Sequence, residues 1–201
     1  NVIITCGALI FKRYTACWGP KVPLANPPAH VTLSSLVTCY SEDYQSVSDN
    51  INNLMTAKLS KLGIPMTNIV ICVCDGRVVG NGNPDALSNM FLKEMVPIQP
   101  PIPWYYETWK GNLCKANIHY GVYGKHNTPM ILVEKLKNHG KKDSLLLGKR
   151  IIEDINNNKV QIKDLELPIK YVYSTDADTV TEEGSLERGV EWMEEYPEID
   201  G

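Results

Sequence analysis

Residues 32–74 read as strand, helix and strand with a short return, and that order leaves few folds open. Thr32 to Thr38 is the first strand. From about Asp43 to Leu62 the apolar positions Val47, Ile51, Leu54, Met55, Leu59 and Leu62 keep to one helical face. Glu42 and Asp43 stand at the start of this helix, Lys58 and Lys61 in its last turn, and Gly63 and Pro65 beyond it. Asn68 to Cys74 is the second strand, ending at Asp75-Gly76. Two strands joined by a crossover helix run parallel. Their ends then lie side by side, with Glu42 and Asp75 just past them. Open α/β sheets bind ligands at that carboxyl edge.

A third strand brings the most chemistry to the same edge. The run Tyr171-Val172-Tyr173-Ser174-Thr175 stops at Asp176-Ala177-Asp178. Two carboxylates at i and i+2 can hold a hard divalent cation, and such a cation usually bridges to phosphate oxygens. The spacing suits a nucleotide diphosphate and transfer of whatever it carries. A solvated acidic turn would look the same on this motif alone. A calcium loop from Asp176 to Glu187 is a poor match, because Val180 stands where an oxygen ligand is needed and Thr181 where glycine is needed.

The rest of the chain supplies walls and candidate contacts. Gly80-Asn81-Gly82-Asn83-Pro84 is a turn-rich loop, without the third glycine of a dinucleotide fingerprint. Pro97 to Pro103 is a proline-rich insertion, followed by Trp104, Tyr105, Tyr106 and Trp109. That aromatic cluster suits either a packed loop or stacking on a sugar or base. Ile118–Tyr123 and Met130–Lys135 read as two strands around a turn. Gly140-Lys141-Lys142-Asp143-Ser144 opens a helix through Leu147, Ile151 and Ile155, which Asn156-Asn157-Asn158-Lys159 ends. A helix start beside lysines is a natural anion site, and equally an ordinary basic first turn. A last helix is expected around Leu186, Val190 and Met193.

Charge and cysteine usage narrow the class. Residues 176–200 hold ten acids and one base, whereas residues 1–175 hold nineteen bases and thirteen acids. A basic body suits an anionic substrate, while the acidic end also reads as a solvated helix face. The six cysteines (Cys6, Cys17, Cys39, Cys72, Cys74, Cys114) show neither zinc spacing nor a dense disulfide pattern. Reduced thiols in a cytosol-facing compartment are expected. Cys72 and Cys74 share a strand face, as core packing, a redox pair or half a metal site. His30, His119, His126 and His139 fit no metal-helix motif, no hydrolytic nucleophile motif is present, and no basic stripe or module points to nucleic acid.

Residues 18–30, with Gly19, Pro20, Pro23, Pro27 and Pro28, read as a linker that places a domain start near His30. The apolar opening Val2–Phe11, followed by Lys12-Arg13, reads either as the tail of a membrane helix with its cytoplasmic flank or as a buried segment.

The order of Leu36-Val37-Thr38-Cys39-Tyr40-Ser41-Glu42, Val73-Cys74-Asp75-Gly76, Gly140-Lys141-Lys142-Asp143-Ser144 and Asp176-Ala177-Asp178, closed by Pro197-Glu198-Ile199-Asp200-Gly201, resembles the cytosolic catalytic domain of chitin synthases, nearest the fungal type. The likeness runs over about 31–201, with a looser stretch at 92–116. It implies a GT-A fold, an α/β domain with a mixed, mainly parallel sheet flanked by helices. Residues 1–30 would be a membrane-proximal segment and linker, and 31–201 a partial catalytic domain. It implies an inverting, processive glycosyltransferase that moves GlcNAc from UDP-GlcNAc to the 4-hydroxyl of a growing chitin chain. Tyr40, Glu42 and Asp75 would hold the uridine, with Thr38 and Gly76 in the same substrate-binding set. Lys141 would approach the phosphates, Asp178 would bind Mn²⁺ or Mg²⁺, and Asp176 would support the donor. The whole enzyme would sit in a plasma or vesicle membrane, held there by parts outside this chain, with this domain facing the cytosol and a homodimer allowed.

Two departures stand out. Lys142 takes the place of the family's arginine, so a fork becomes a point charge. The family's Glu-Asp base and Gln-x-x-Arg-Trp acceptor motif belong further on than Gly201, so no residue here is assigned as general base and these residues alone are expected not to polymerise chitin. A hyaluronan or cellulose synthase relative, or a non-catalytic metal-binding interaction module, are the other readings.

Overall fold

The computed structural model describes residues 2–4, 28–56, 63–80, 82–125 and 127–196. Most of the proline-rich linker, Leu59, Leu62, Lys58, Lys61, Asn81, His126 and the closing Pro197–Gly201 segment lie outside the described residues. The same holds for the opening beyond Ile4, including Lys12-Arg13.

Among the described residues, eight strands make one mixed sheet. They are β1 (Val2–Ile4), β2 (Val31–Cys39), β3 (Met66–Cys74), β4 (Val96–Pro97), β5 (Ile102–Glu107), β6 (Leu113–Tyr123), β7 (Thr128–Lys135) and β8 (Ile169–Asp176). Four helices flank them: α1 (Tyr44–Leu54), α2 (Leu87–Glu94), α3 (Lys141–Asn156) and α4 (Ser185–Glu195). The sheet order is β1-β8-β2-β3-β7-β6-β4, with β5 also paired to β6. The pairs from β1 to β7 are parallel. The pairs made by β6 with β7, β4 and β5 are antiparallel. This is the mixed, mainly parallel α/β architecture of a GT-A-like domain.

The central strands are covered on both faces, so β2 is buried along its whole length and reads as a continuous run rather than an alternating one. Alternate residues still face opposite ways. Val37, Cys39, Cys72 and Cys74 face one core with Val47, Ile51 and Leu54 of α1, Phe91 of α2 and Val190 of α4. Leu36, Ile71 and Val73 face the other core with Leu147, Ile151 and Ile155 of α3. Four helices on two faces therefore bury one sheet between them.

The expected helix from Asp43 ends earlier than its periodicity suggested. Asp43 is the N-cap, accepting from Ser46 N at 2.9 Å, and α1 runs only to Leu54. Asn68 Nδ2 donates to the Leu54 carbonyl at 2.6 Å and Asn68 Oδ1 accepts from Ser35 Oγ at 3.0 Å. A buried strand amide thus satisfies the helix end and its own polar atoms together. The proline-rich insertion turns out to carry strands. Short β4 and β5 pair only with β6, an edge position where proline costs no shared ladder bond. At the opposite edge Val2–Ile4 is extended and pairs with β8 at Val2↔Tyr171. No described helix is long and apolar enough to cross a membrane.

Helix α3 comes close to the sheet through Gly148, where an added Cβ would lie 2.4 Å from Leu36 Cδ1 and 2.9 Å from Cδ2. Gly148→Ala removes a helix penalty of about 1 kcal/mol but overpacks a buried contact, which costs about 1–3 kcal/mol. Leu36 is buried and cannot swing away, so overpacking should win. The expected outcome is a lower urea midpoint with an unchanged slope.

Candidate functional site

The carboxyl ends of β8, β2, β3 and β7 lie side by side because these four strands run parallel. Thr38 stands opposite both Val73 and Asp176, and Cys74 stands opposite both Cys39 and Glu134. One edge therefore gathers Thr38 to Glu42, Asp75-Gly76, Asp176 to Asp178, and the start of α3.

The sequence-expected residues occupy this edge in different states. Asp176 and Lys141 are about half exposed, at 55% and 56%, and form an ion pair. Asp178 is exposed. Asn50, buried within α1, donates through Nδ2 to the Asp176 and Ala177 carbonyls at 3.2 Å each, which fixes the path of the loop carrying both acids. Tyr40 is exposed, and its amide donates to Glu42 Oε2 at 2.5 Å. Thr38 is buried, and its Oγ1 has no partner among the described residues. It lies beneath the edge rather than on it. Gly76 has φ +88°, and a Cβ there would meet the Asn138 amide nitrogen at 3.0 Å, so glycine lets two loops touch.

Asp75 is buried, at 3%. Its Oδ1 accepts from Lys135 Nζ at 2.6 Å and from the His139 amide at 3.0 Å. Lys135 is fully buried and also pairs with Asp143 Oδ2 at 2.9 Å and Ser144 Oγ at 3.1 Å. Asp143 in turn accepts from Tyr106 Oη at 3.3 Å and the Trp109 amide at 3.2 Å. The lysine is stable there only because two carboxylates and a hydroxyl replace its water. This network joins the loop after β3, β7, α3, and β5 with the segment that follows it.

Sequence reasoning missed Lys135, because a lysine closing an apolar run looks like an exposed strand end. It also missed Asn83, whose Oδ1 accepts from Tyr44 N and whose Nδ2 donates to the Glu42 carbonyl, both at 2.9 Å. The glycine loop braces the 40–44 segment: a Cβ on Gly80 would lie 2.6 Å from the Ser41 and Glu42 carbonyl oxygens. A further buried carboxylate, Glu134, accepts from Arg77 Nε at 2.8 Å and Asn117 Nδ2 at 3.0 Å. Burial pushes Glu134 up, but those donors outweigh it and hold its carboxyl below the ordinary value. It ties the loop after Asp75 to β7.

The aromatic cluster divides. Tyr106 is buried and Trp104 is partly buried, whereas Tyr105 and Trp109 are exposed. Lys142, the residue in the arginine place, puts its ammonium 4.7 Å from the Trp109 ring centroid, a cation–π contact in place of a fork. Three of the cysteines belong to the core. Cys39, Cys72 and Cys74 are free and buried, with Cys39 and Cys72 sulfurs 3.4 Å apart. Hydrogen bonds with Cys39 and Cys74, together with burial, push the Cys72 thiol well up.

Among the described residues no three His, Cys, Asp or Glu side chains are grouped to hold a metal. The chemistry of the donor set nevertheless fits one class of ion. Asp178, with Asp176 beside it, offers hard, solvent-open carboxylate oxygens, and Mg²⁺-like ions commonly take one or two carboxylates and fill the rest with phosphate and water.

No family model matches the chain. It is similar to a protein named chitin synthase 8 from Gibberella zeae, 22% identical over 203 residues, 92% of this chain and 29% of that protein. It is also similar to a chitin synthase 8 from Mycosarcoma maydis, 26% identical over 183 residues, 76% of this chain and 9% of that protein. The chain thus spans less than a third of either relative. These low-identity likenesses, over most of the chain, lend weak support to a chitin-synthase-like region and to nothing finer.

Lys135→Met tests the buried network. It leaves Asp75 and Asp143 without their cation, and removing one partner of a buried pair typically costs about 3–5 kcal/mol. The expected result is a loss of that size by chemical denaturation, against less than about 1 kcal/mol for Lys141→Met, whose pair is exposed.

Proposed function

We propose that this region is the donor-binding part of a chitin-synthase-type glycosyltransferase. It would take UDP-GlcNAc and pass GlcNAc, with inversion, to the 4-hydroxyl of a growing chitin chain. The observation that carries the reading is the convergence of Asp176, Asp178, Asp75 and the Lys141 helix start on one carboxyl edge. The names of the two similar proteins point the same way. The whole enzyme would work at a plasma or vesicle membrane with this domain toward the cytosol.

The chemistry asks for charge compensation, because the leaving group is UDP. Asp178, supported by Asp176, would hold Mn²⁺ or Mg²⁺, which when bound offsets negative charge on the diphosphate. Lys141 supplies a second positive charge. Its present partner is Asp176 in a half-exposed pair, and such pairs are worth about 0–1 kcal/mol, so a phosphate can take the ammonium over at little cost. The first-turn amides of α3 add donors to the same place. Asp75 is already bound on Oδ1, which fixes its carboxylate for a uridine contact rather than leaving it to search. Tyr40 and Glu42 would contribute the other side of the uridine site. No residue of this chain is assigned as general base.

Calorimetric titration with UDP, with and without Mn²⁺, tests the reading on this chain and on Asp178→Ala. Metal-dependent UDP binding that drops at least tenfold in Asp178→Ala, with the circular dichroism spectrum unchanged, is expected. Equal UDP affinity in the variant would remove Asp178 from the metal. Stronger competition by UDP-glucose than by UDP-GlcNAc would move the assignment to a cellulose-synthase relative.

A further inference from the structure

Among the described residues, three free thiols gather at one point in the core. Cys39 closes β2, Cys74 closes β3, and Cys72 lies two residues before Cys74 on the same face. The Cys39 and Cys72 sulfurs are 3.4 Å apart, and Cys39 stands opposite Cys74 in the parallel register. Packing alone does not ask for sulfur here, since small apolar side chains fill a core as well. What three thiols in contact add is two-electron chemistry, because oxidation can join two of them.

The cluster divides the thiols into a nucleophile and its donors. Hydrogen bonds from Cys39 and Cys72 hold the Cys74 thiol down, at about 5, against burial and the Glu134 and Glu42 carboxylates. A buried charge needs hydrogen-bond donors in place of water, and two S–H groups supply them. The thiolate is the form of cysteine that reacts with electrophiles.

The register chooses the bridge. Neighbouring strands lie about 4.8 Å apart, which brings the Cα atoms of Cys39 and Cys74 within the roughly 4.4–6.8 Å that a disulfide spans. Cys72 stands two residues back along β3, about 6.6 Å at ~3.3 Å per residue, so its Cα is roughly 8 Å from that of Cys39. The two sulfurs meet because strand side chains lean along the strand, but a bridge there would need the backbone to move.

The position gives such a bridge something to act on. Cys39 precedes the exposed Tyr40 and Cys74 precedes Asp75. The Asp75 amide donates to the Cys39 carbonyl at 2.8 Å. That bond ties together the two strand ends that lead into the edge, and a covalent link between Cys39 and Cys74 would shift both of its members.

We infer that Cys39, Cys72 and Cys74 form a redox switch beneath the sheet edge, in which a peroxide links Cys39 to Cys74. The Cys74 sulfur attacks one peroxide oxygen, the O–O bond breaks, and the departing hydroxide takes up a proton to leave as water. The Cys39 sulfur then attacks the Cys74 sulfenic acid; the S–S bond forms and the S–O bond breaks with loss of a second water. The two thiols are oxidised by two electrons and the peroxide is reduced to water. A dithiol reverses the link by exchange. Peroxide is close to water in size, so a small opening at the strand ends admits it.

The link stands on the thiols alone, and its effect on UDP rests on the donor-site reading above. The test treats the chain with hydrogen peroxide, maps its disulfides by mass spectrometry, and measures UDP affinity in Mn²⁺ before and after, on the wild type, Cys39→Ala and Cys72→Ala. A Cys39–Cys74 link that dithiothreitol removes is expected in the wild type, more slowly in Cys72→Ala, and not in Cys39→Ala. UDP affinity should fall about tenfold in the linked wild type, return on reduction, and stay unmoved by peroxide in Cys39→Ala. No link, or one made instead through Cys72, Cys6, Cys17 or Cys114, overturns the inference, and the wild-type map decides this even where a variant misfolds. Equal UDP affinity in linked and reduced chains overturns the switch while leaving the donor site standing. If the reduced chain binds no UDP, the donor reading fails by itself, and hydrogen exchange at the Asp75 amide decides instead: protection unchanged by the link overturns the switch.

Discussion

The Lys135 ammonium between Asp75 and Asp143 is the interaction on which the candidate site most depends. Removing a cation from water is expensive, and it is tolerated only where good geometry and further donors complete the shell. Here two carboxylates and Ser144 surround the lysine, while His139 N, Tyr106 Oη and Trp109 N satisfy the carboxylates from outside. Asp143 also lies in the first turn of α3, where the helix dipole favours a negative charge. The excess negative charge of two acids over one base is thereby offset. Because its members come from the loop after β3, from β7 and α3, and from β5 and the segment after it, the network sets the distances between the sheet edge, the helix start and the Trp109 segment together.

Around this fixed point the rest of the edge is held by amides rather than charges. Asn50 grips the carbonyls before Asp178, Asn83 grips both sides of the 42–44 corner, and Asn68 closes the end of α1. An asparagine can donate and accept at once, so a single side chain can join two loops without adding charge to the edge.

The layers of the fold were legible because they follow from period and punctuation. β2, β3 and β8 show as apolar runs ended by acids, and α3 shows as a 3.6-residue pattern opened by Gly140. What stayed hidden depends on partners far away in the chain. Lys135 is buried because of Asp75, sixty residues earlier, and Asp143, eight later, and nothing local distinguishes it from a solvated lysine. Strands β4 and β5 hid behind prolines that an edge strand tolerates, and α2 is only eight residues long, too short for periodicity to declare it. The Asp-Ala-Asp motif was legible as an edge feature, whereas the Asn50 contacts that orient it join residues 126 and 127 positions apart.

The contrast between the two lysines at the edge carries the argument one step further. Lys135 is locked, and any motion of it would strand two buried acids. Lys141 is held only by a half-exposed partner whose attraction water largely screens. Under the proposed function, a site that receives and releases a diphosphate would need both kinds of charge. The locked one keeps donors aimed before the ligand arrives, so little reorganisation is required when charge develops. The loose one could then change partners as a phosphate entered and left. Exchanging those environments would give a mobile scaffold and a phosphate contact that could not let go.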